Sequence, residues 1–119
     1  MNENDRLTFA VDIIKRLGKY RALEAGNPQA PPTPNPLGAG FTGVDKDGGS
    51  YRARVGVADA LNGVQKRITL GRSDCPEVAA YMYRAAHVAL YGSYSWANDS
   101  LSPIERGLIE FTRNAVLNG

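Results

Sequence analysis

This chain of 119 residues has little of what metal and disulfide chemistry needs: one cysteine, Cys75, and one histidine, His87. A lone cysteine closes no internal disulfide and builds no cysteine-based zinc site, which agrees with a reducing compartment. His87 has neither a cysteine nor a histidine partner, so the zinc ligand sets are absent and it reads as a partly buried, hydrogen-bonded ring. Long apolar runs are missing too. The first 26 residues carry five basic and four acidic groups, which leaves no segment resembling a signal peptide or membrane helix; a soluble, cytoplasmic protein is expected, with no membrane partner. Charge of one sign is scarce, since the net formal charge is +2, which permits nucleic-acid binding without requiring it. There is no internal repeat, no paired-histidine motif, no nucleophile set beside a base and no phosphate-cradling loop, so neither an enzyme nor a cofactor is expected. "DKDGG" (45–49) has the acids of a calcium loop but not its frame. With Gly48 at the glycine position of an EF-hand loop, Gly43 falls where the first ligand belongs and Arg54 where the bidentate glutamate belongs.

What is present predicts one α+β domain. Leu7, Ala10, Val11, Ile14 and Leu17, widened by Phe9 and Ile13, recur at helical spacing between Asn4 and Glu24, and predict an amphipathic helix within residues 1–26. "NPQAPPTPNPLG" puts five prolines into residues 27–38 and predicts a semi-rigid extended linker. From Phe41 the period becomes two. "FTGV" leads into the "DKDGG" hairpin loop; Tyr51, Ala53, Val55 and Val57 alternate with Arg52, Arg54 and Gly56; Ile68 and Leu70 alternate with Arg67 and Thr69. Three antiparallel strands follow, the second with an apolar side and an arginine side. "CPEVAAYMYRAAHVALYG" predicts a helix with Cys75 at its N-cap, Pro76 in the first turn and Gly92 at its end, its Ala79, Tyr83, Ala86 and Leu90 on one face. The tyrosines and Trp96 read as core and rim packing, with Trp96 a lid on the core. In residues 99–119, Ser102 to Glu105 form a capping box, and Ile104, Leu108, Phe111 and Ala115 predict the buried stripe of a last helix.

The pieces "TGV", "YRARV", "ITLG", "DCPEVAAYMYRAA" and "LYG", with "SYSWAN" ending at Asn98, resemble the AP2/ERF DNA-binding domain of plant transcription factors and of phage and bacterial homing endonucleases. The resemblance covers residues 39–98 and leaves the outer helices unexplained. It implies a three-stranded sheet packed on one helix, with the sheet's outward face in the major groove of double-stranded DNA. Carried over, the contacts are Arg52 and Arg54 on the second strand and Arg67 and Thr69 on the third, with Lys46 and Lys66 adding phosphate contacts. A β-ribbon fits that groove, and arginine suits guanine edges and phosphates. The chain departs from the family at Asp45 and Asp47, where arginines are usual, and at Gly56, Arg84 and His87. Two acids on that face motivate the alternative, a protein-interaction module or small phage-type inhibitor of a nucleic-acid enzyme, of which anti-CRISPR proteins are one kind. The stripes of the terminal helices must be covered, within one chain or by a second copy; a homodimer through these helices is the expectation.

Overall fold

The computed structural model describes residues 2–23, 27–34 and 36–119. The chain forms helix α1 (Glu3–Leu17), strands β1 (Val44–Asp47), β2 (Ser50–Ala58) and β3 (Gln65–Ser73), then helices α2 (Pro76–Tyr91) and α3 (Pro103–Asn118). This is the expected α+β arrangement of a three-stranded antiparallel sheet, in the order β1-β2-β3, packed on one helix with further helices at both ends.

Helix α1 starts at Asn2, whose side chain accepts from the Asp5 N–H, and carries acids in its first turn and Lys15 and Arg16 in its last, both favourable to the helix dipole. It is shorter than expected. Gly18, at φ 57°, turns the backbone out of the helix, with its N–H bonded to the Lys15 carbonyl. The chain then runs along β2, where Arg21 and Ala58 exchange backbone hydrogen bonds of 2.9 Å in each direction. The expected helical residues beyond Leu17 are therefore non-helical as far as Leu23, and Glu24 lies outside the described residues.

"DKDGG" is a hairpin turn. Asp47 pairs with Ser50 across Gly48 and Gly49, and Gly48, at φ 64°, supplies the left-handed residue the turn requires. Asp45 and Asp47 belong to β1 itself. Strand β2 follows the expected alternation, with Ala53, Val55 and Val57 buried against α2. In β3 the register slips where Ala53 pairs with Gly71 and Arg54 with Thr69, so Leu70 is a bulge residue directed into the core. Ala79, Ala80, Ala85 and Ala86 are all buried, and their small side chains let α2 lie close between the sheet and the terminal helices.

The two terminal helices pack on each other and on α2 within the one chain. Ala10, Ile13, Ile14 and Leu17 are fully covered, so the apolar face of α1 needs no second copy to bury it. The expected stripe of α3 is corrected. Ile104 and Phe111 are 63% and 73% exposed, whereas Glu105, Ile109, Thr112 and Arg113 face inward. The two inward charged groups are tolerated because each has a partner. Glu105 accepts a 2.7 Å hydrogen bond from the Tyr81 hydroxyl, and Arg113 donates to the carbonyls of Gly18 and Tyr20 just past the end of α1. Burial and the adjacent Glu105 carboxylate raise the Tyr81 phenol well above its usual range.

The proline-rich segment is not a free spacer. The Pro28 carbonyl accepts from the Trp96 N–H at 2.8 Å and the Pro32 carbonyl from the Thr42 hydroxyl at 3.0 Å, which holds it against the body of the domain. Among the described residues no helix is long and apolar enough to cross a membrane.

Candidate nucleic-acid interface

In a strand, alternate side chains point to opposite faces, so the pairing register sorts the sheet's polar residues without ambiguity. Asp45 pairs with Arg52 and Arg52 with Arg72; Arg54 pairs with Thr69 and Gly56 with Arg67. With Asp47, these residues make the outward face, away from α2. The sequence-predicted residues Arg52, Arg54, Arg67 and Thr69 are thus brought together, and Arg72 joins them unpredicted, although its parity with Arg52 would have revealed it once the bulge was known.

The two strand lysines are not there. Lys46 has the parity of Val44 and pairs with Tyr51; Lys66 has the parity of Ile68 and pairs with Val57, which is fully buried. Both therefore lie on the helix side of the sheet, at its margins. The Lys46 ammonium sits 5.9 Å from the Tyr51 ring centre and that of Lys66 4.6 Å from the ring of Tyr20. The two lysines are thus set apart from the outward arginines.

Outward charge is organised by the two aspartates. Asp45, only 13% exposed, accepts from Arg52 Nε at 2.9 Å and Nη2 at 3.2 Å, and from Arg54 Nη2 at 2.5 Å. The hydrogen bond from Arg52 is the largest cause that holds the Asp45 carboxyl below its usual value, with Arg54 adding to it against the opposing effect of burial. Asp47 pairs with Arg52 at 3.5 Å and with Arg72. The bidentate geometry fixes Arg52 in one orientation and so removes conformational freedom before any ligand arrives. The same pairing cancels charge: four guanidiniums against two carboxylates leave the outward face with a formal excess of two positive charges. Arg67 and Thr69 are exposed, and Arg67 has no carboxylate partner among the described residues.

Beside this face the sheet edge opens. Strand β1 reaches only to Ala53 on β2, because the chain before it turns away at Gly43, where φ is 79° and a Cβ would lie 2.0 Å from the Tyr83 ring. Beyond that point Arg54 donates to the Gly43 carbonyl and Ala58 is bridged to Arg21. Gly56 lies between them, with its N–H and C=O directed to the same open edge.

The other functional groups singled out in the sequence have structural surroundings. His87 Nδ1 is 2.6 Å from Ser95 Oγ, and burial holds its pKa down, at about 4, so the ring is neutral at neutral pH. Trp96 stacks beside Tyr83, with ring centres 6.4 Å apart, as a lid on the core. Cys75 occupies the N-cap of α2, exposed, its thiol 3.0 Å from a Glu77 carboxylate oxygen. Among the described residues no cluster of His, Cys, Asp or Glu could hold a metal ion, and Asp45 and Asp47 are engaged by arginines.

No family model, no curated protein and no solved structure matches this chain. The element order agrees with what the AP2/ERF resemblance implies, and the likeness extends no further than that order and the residues that carry it.

Proposed function

We propose that this chain is a non-enzymatic module that binds double-stranded DNA through the outward face of its sheet, laid in the major groove, as the regulatory protein of a phage or mobile element. The observation that carries the reading is the gathering of Arg52, Arg54, Arg67 and Arg72 on one outward face of a three-stranded sheet, at the register that pairs Arg52 with Arg72. A narrow ribbon of this kind enters the major groove, and ordered arginines there reach base edges and phosphates. Asp45 and Asp47 act as buttresses that preset the arginines, and they accept cytosine amino groups where the sequence offers them.

The alternative, a protein-interaction module or inhibitor of a nucleic-acid enzyme, is favoured by one observation: Asp45 engages two of the four arginines, so the face is of mixed sign. Titration with duplex DNA at two salt concentrations separates the readings. DNA binding predicts an affinity that falls as salt rises and is lost in the triple variant Arg52→Ala, Arg54→Ala, Arg67→Ala while the fold persists. A triple variant that binds DNA as tightly as the parent refutes it.

A further inference from the structure

A cleft of about 410 Å³ opens at the exposed edge of β2, between the proline-rich segment and the C-terminal half of α2. From its residues we infer that it is a binding site for a small aromatic anion, a flat ring system that carries a carboxylate or phosphate.

Three independent features point to that chemistry. One side is aromatic: Tyr83, His87 and Tyr91 stand one helical turn apart on α2, with ring centres 5.9 Å and 4.5 Å apart in succession. The charged residues among the described lining are Arg54, which Asp45 also holds, and Arg67, which has no carboxylate partner among the described residues. His87 adds no fixed charge, being neutral at neutral pH. Arg67 is opposite Gly56, and its guanidinium is near enough to Tyr83 to act on the phenol electrostatically. The arginine of the groove face that lacks a carboxylate is thus also a cleft residue.

The third feature is Gly56. Its φ is not positive, and a Cβ there would meet only the end of the Leu23 side chain, at 3.1 Å, so neither backbone conformation nor core packing requires glycine. Glycine in a strand interior weakens the strand and often marks a place where a ligand or another backbone approaches closely. Its N–H and C=O, unpaired by any described strand, offer a donor and an acceptor side by side to a planar ligand edge. The gap runs only from Arg54, bonded to Gly43, to Ala58, bridged to Arg21, with the Leu23 side chain beside Gly56, and is too short for an added strand.

The cleft shares Arg54 and Arg67 with the groove face, so the two readings are separated by variants outside those arginines. Its natural reporters are the single histidine and the single tryptophan, whose rings lie 5.7 Å apart. Proton NMR of the His87 and Trp96 ring signals, followed during titration with benzoate and with adenosine monophosphate, should show a saturable shift for at least one of them. Benzamidine, the same ring with a cation in place of the anion, should give none. Arg67→Gln should weaken the anion roughly tenfold to a hundredfold, the scale of one lost charge-assisted hydrogen bond. Gly56→Val should abolish it by filling the cleft, with the fold checked by the remaining spectrum. Arg72→Ala, on the groove face but outside the cleft, should leave it unchanged. No saturable shift with either anion up to millimolar concentration, an equal response to benzamidine, or undiminished binding in both Arg67→Gln and Gly56→Val overturns the assignment.

Discussion

Replacing Asp45 and Asp47 together by asparagine turns the charge balance of the sheet into a measurable slope. Asparagine keeps the size of the side chain and removes the charge, so the outward excess rises from two positive charges to four. Each phosphate neutralised on duplex DNA contributes about −0.9 to the slope of log affinity against log salt, so the parent should show a slope of about −2 and the double variant one nearer −4. A fourfold rise in salt then weakens the parent about tenfold and the variant by on the order of a hundredfold. At low salt the variant should bind non-specific duplex more tightly than the parent. Stability should change little, because Arg52 and Arg54, at 22% and 32% side-chain exposure, can reach water once released. Fluorescence anisotropy with a labelled duplex at four salt concentrations gives both slopes, and thermal unfolding confirms that both proteins remain folded. Equal slopes in the two proteins would refute the claim that the aspartates set the charge of the binding face; slopes near zero in both would refute the DNA reading itself.

The remaining predictions concern stability and assembly. His87 has a folded pKa of about 4 against an ordinary 6.5, so the unfolded chain binds the proton more readily; stability is complete above the higher value and falls as pH drops towards the lower, by about 2 kcal/mol at about pH 5. Urea unfolding at the two pH values reads this, and a His87→Gln variant with the same dependence would refute it. Asp45 has a lowered folded pKa, so its contribution is present above the ordinary value of 3.8 and is lost only as pH falls through the lower folded value; an acid titration of stability that Asp45→Asn leaves unchanged would contradict the arginine contacts. Ile109→Ala should cost about 2–5 kcal/mol and Ile104→Ala less than about 0.5 kcal/mol, by chemical unfolding, because only Ile109 is buried; equal losses would mean that α3 is turned the other way. Ile14→Asp, at a fully covered position of α1, should unfold the chain by circular dichroism; a folded variant that only halved its mass on sedimentation would instead support the homodimer through the terminal helices.

How much of this was legible depends on whether the cause was local. The strands of the hairpin were, because the two-residue period of Tyr51 to Val57 and the glycines after Asp47 act within a few residues. The parity that places Lys46 with Val44 and Lys66 with Ile68 is equally visible and sets both lysines apart from the arginine face. The end of α1 at Leu17 coincides with the last residue of the apolar stripe and is marked by Gly18, so the span towards Glu24 has no local support. The buried face of α3 was not legible in this way. Apolar spacing selects Ile104, Leu108 and Phe111, whereas Glu105 and Arg113 turn inward because Tyr81 and the carbonyls of Gly18 and Tyr20, from distant parts of the chain, satisfy their polar groups. Periodicity measures what prefers to leave water. It does not measure which polar groups will find partners.

The cleft shows the same division at a finer scale. Tyr83, His87 and Tyr91 announce a common helix face by their spacing, and Gly56 stands out in a strand of larger residues, yet nothing local says that the two meet. They meet because β1 is short, and β1 is short because the chain must turn at Gly43 to pass the Tyr83 ring, a contact between residues forty apart in sequence. The turn ends the β1–β2 ladder at Ala53 and leaves the next outward position, Arg54, reaching from the sheet face towards the uncovered edge. Arg54 consequently serves both places, held on one side by Asp45 and lining the cleft on the other. An anion in the cleft and the Asp45 carboxylate then compete for one guanidinium. Any preference of the cleft for an anion is therefore linked, with equal and opposite effect, to the strength of the Asp45 pair that presets the groove-facing arginines.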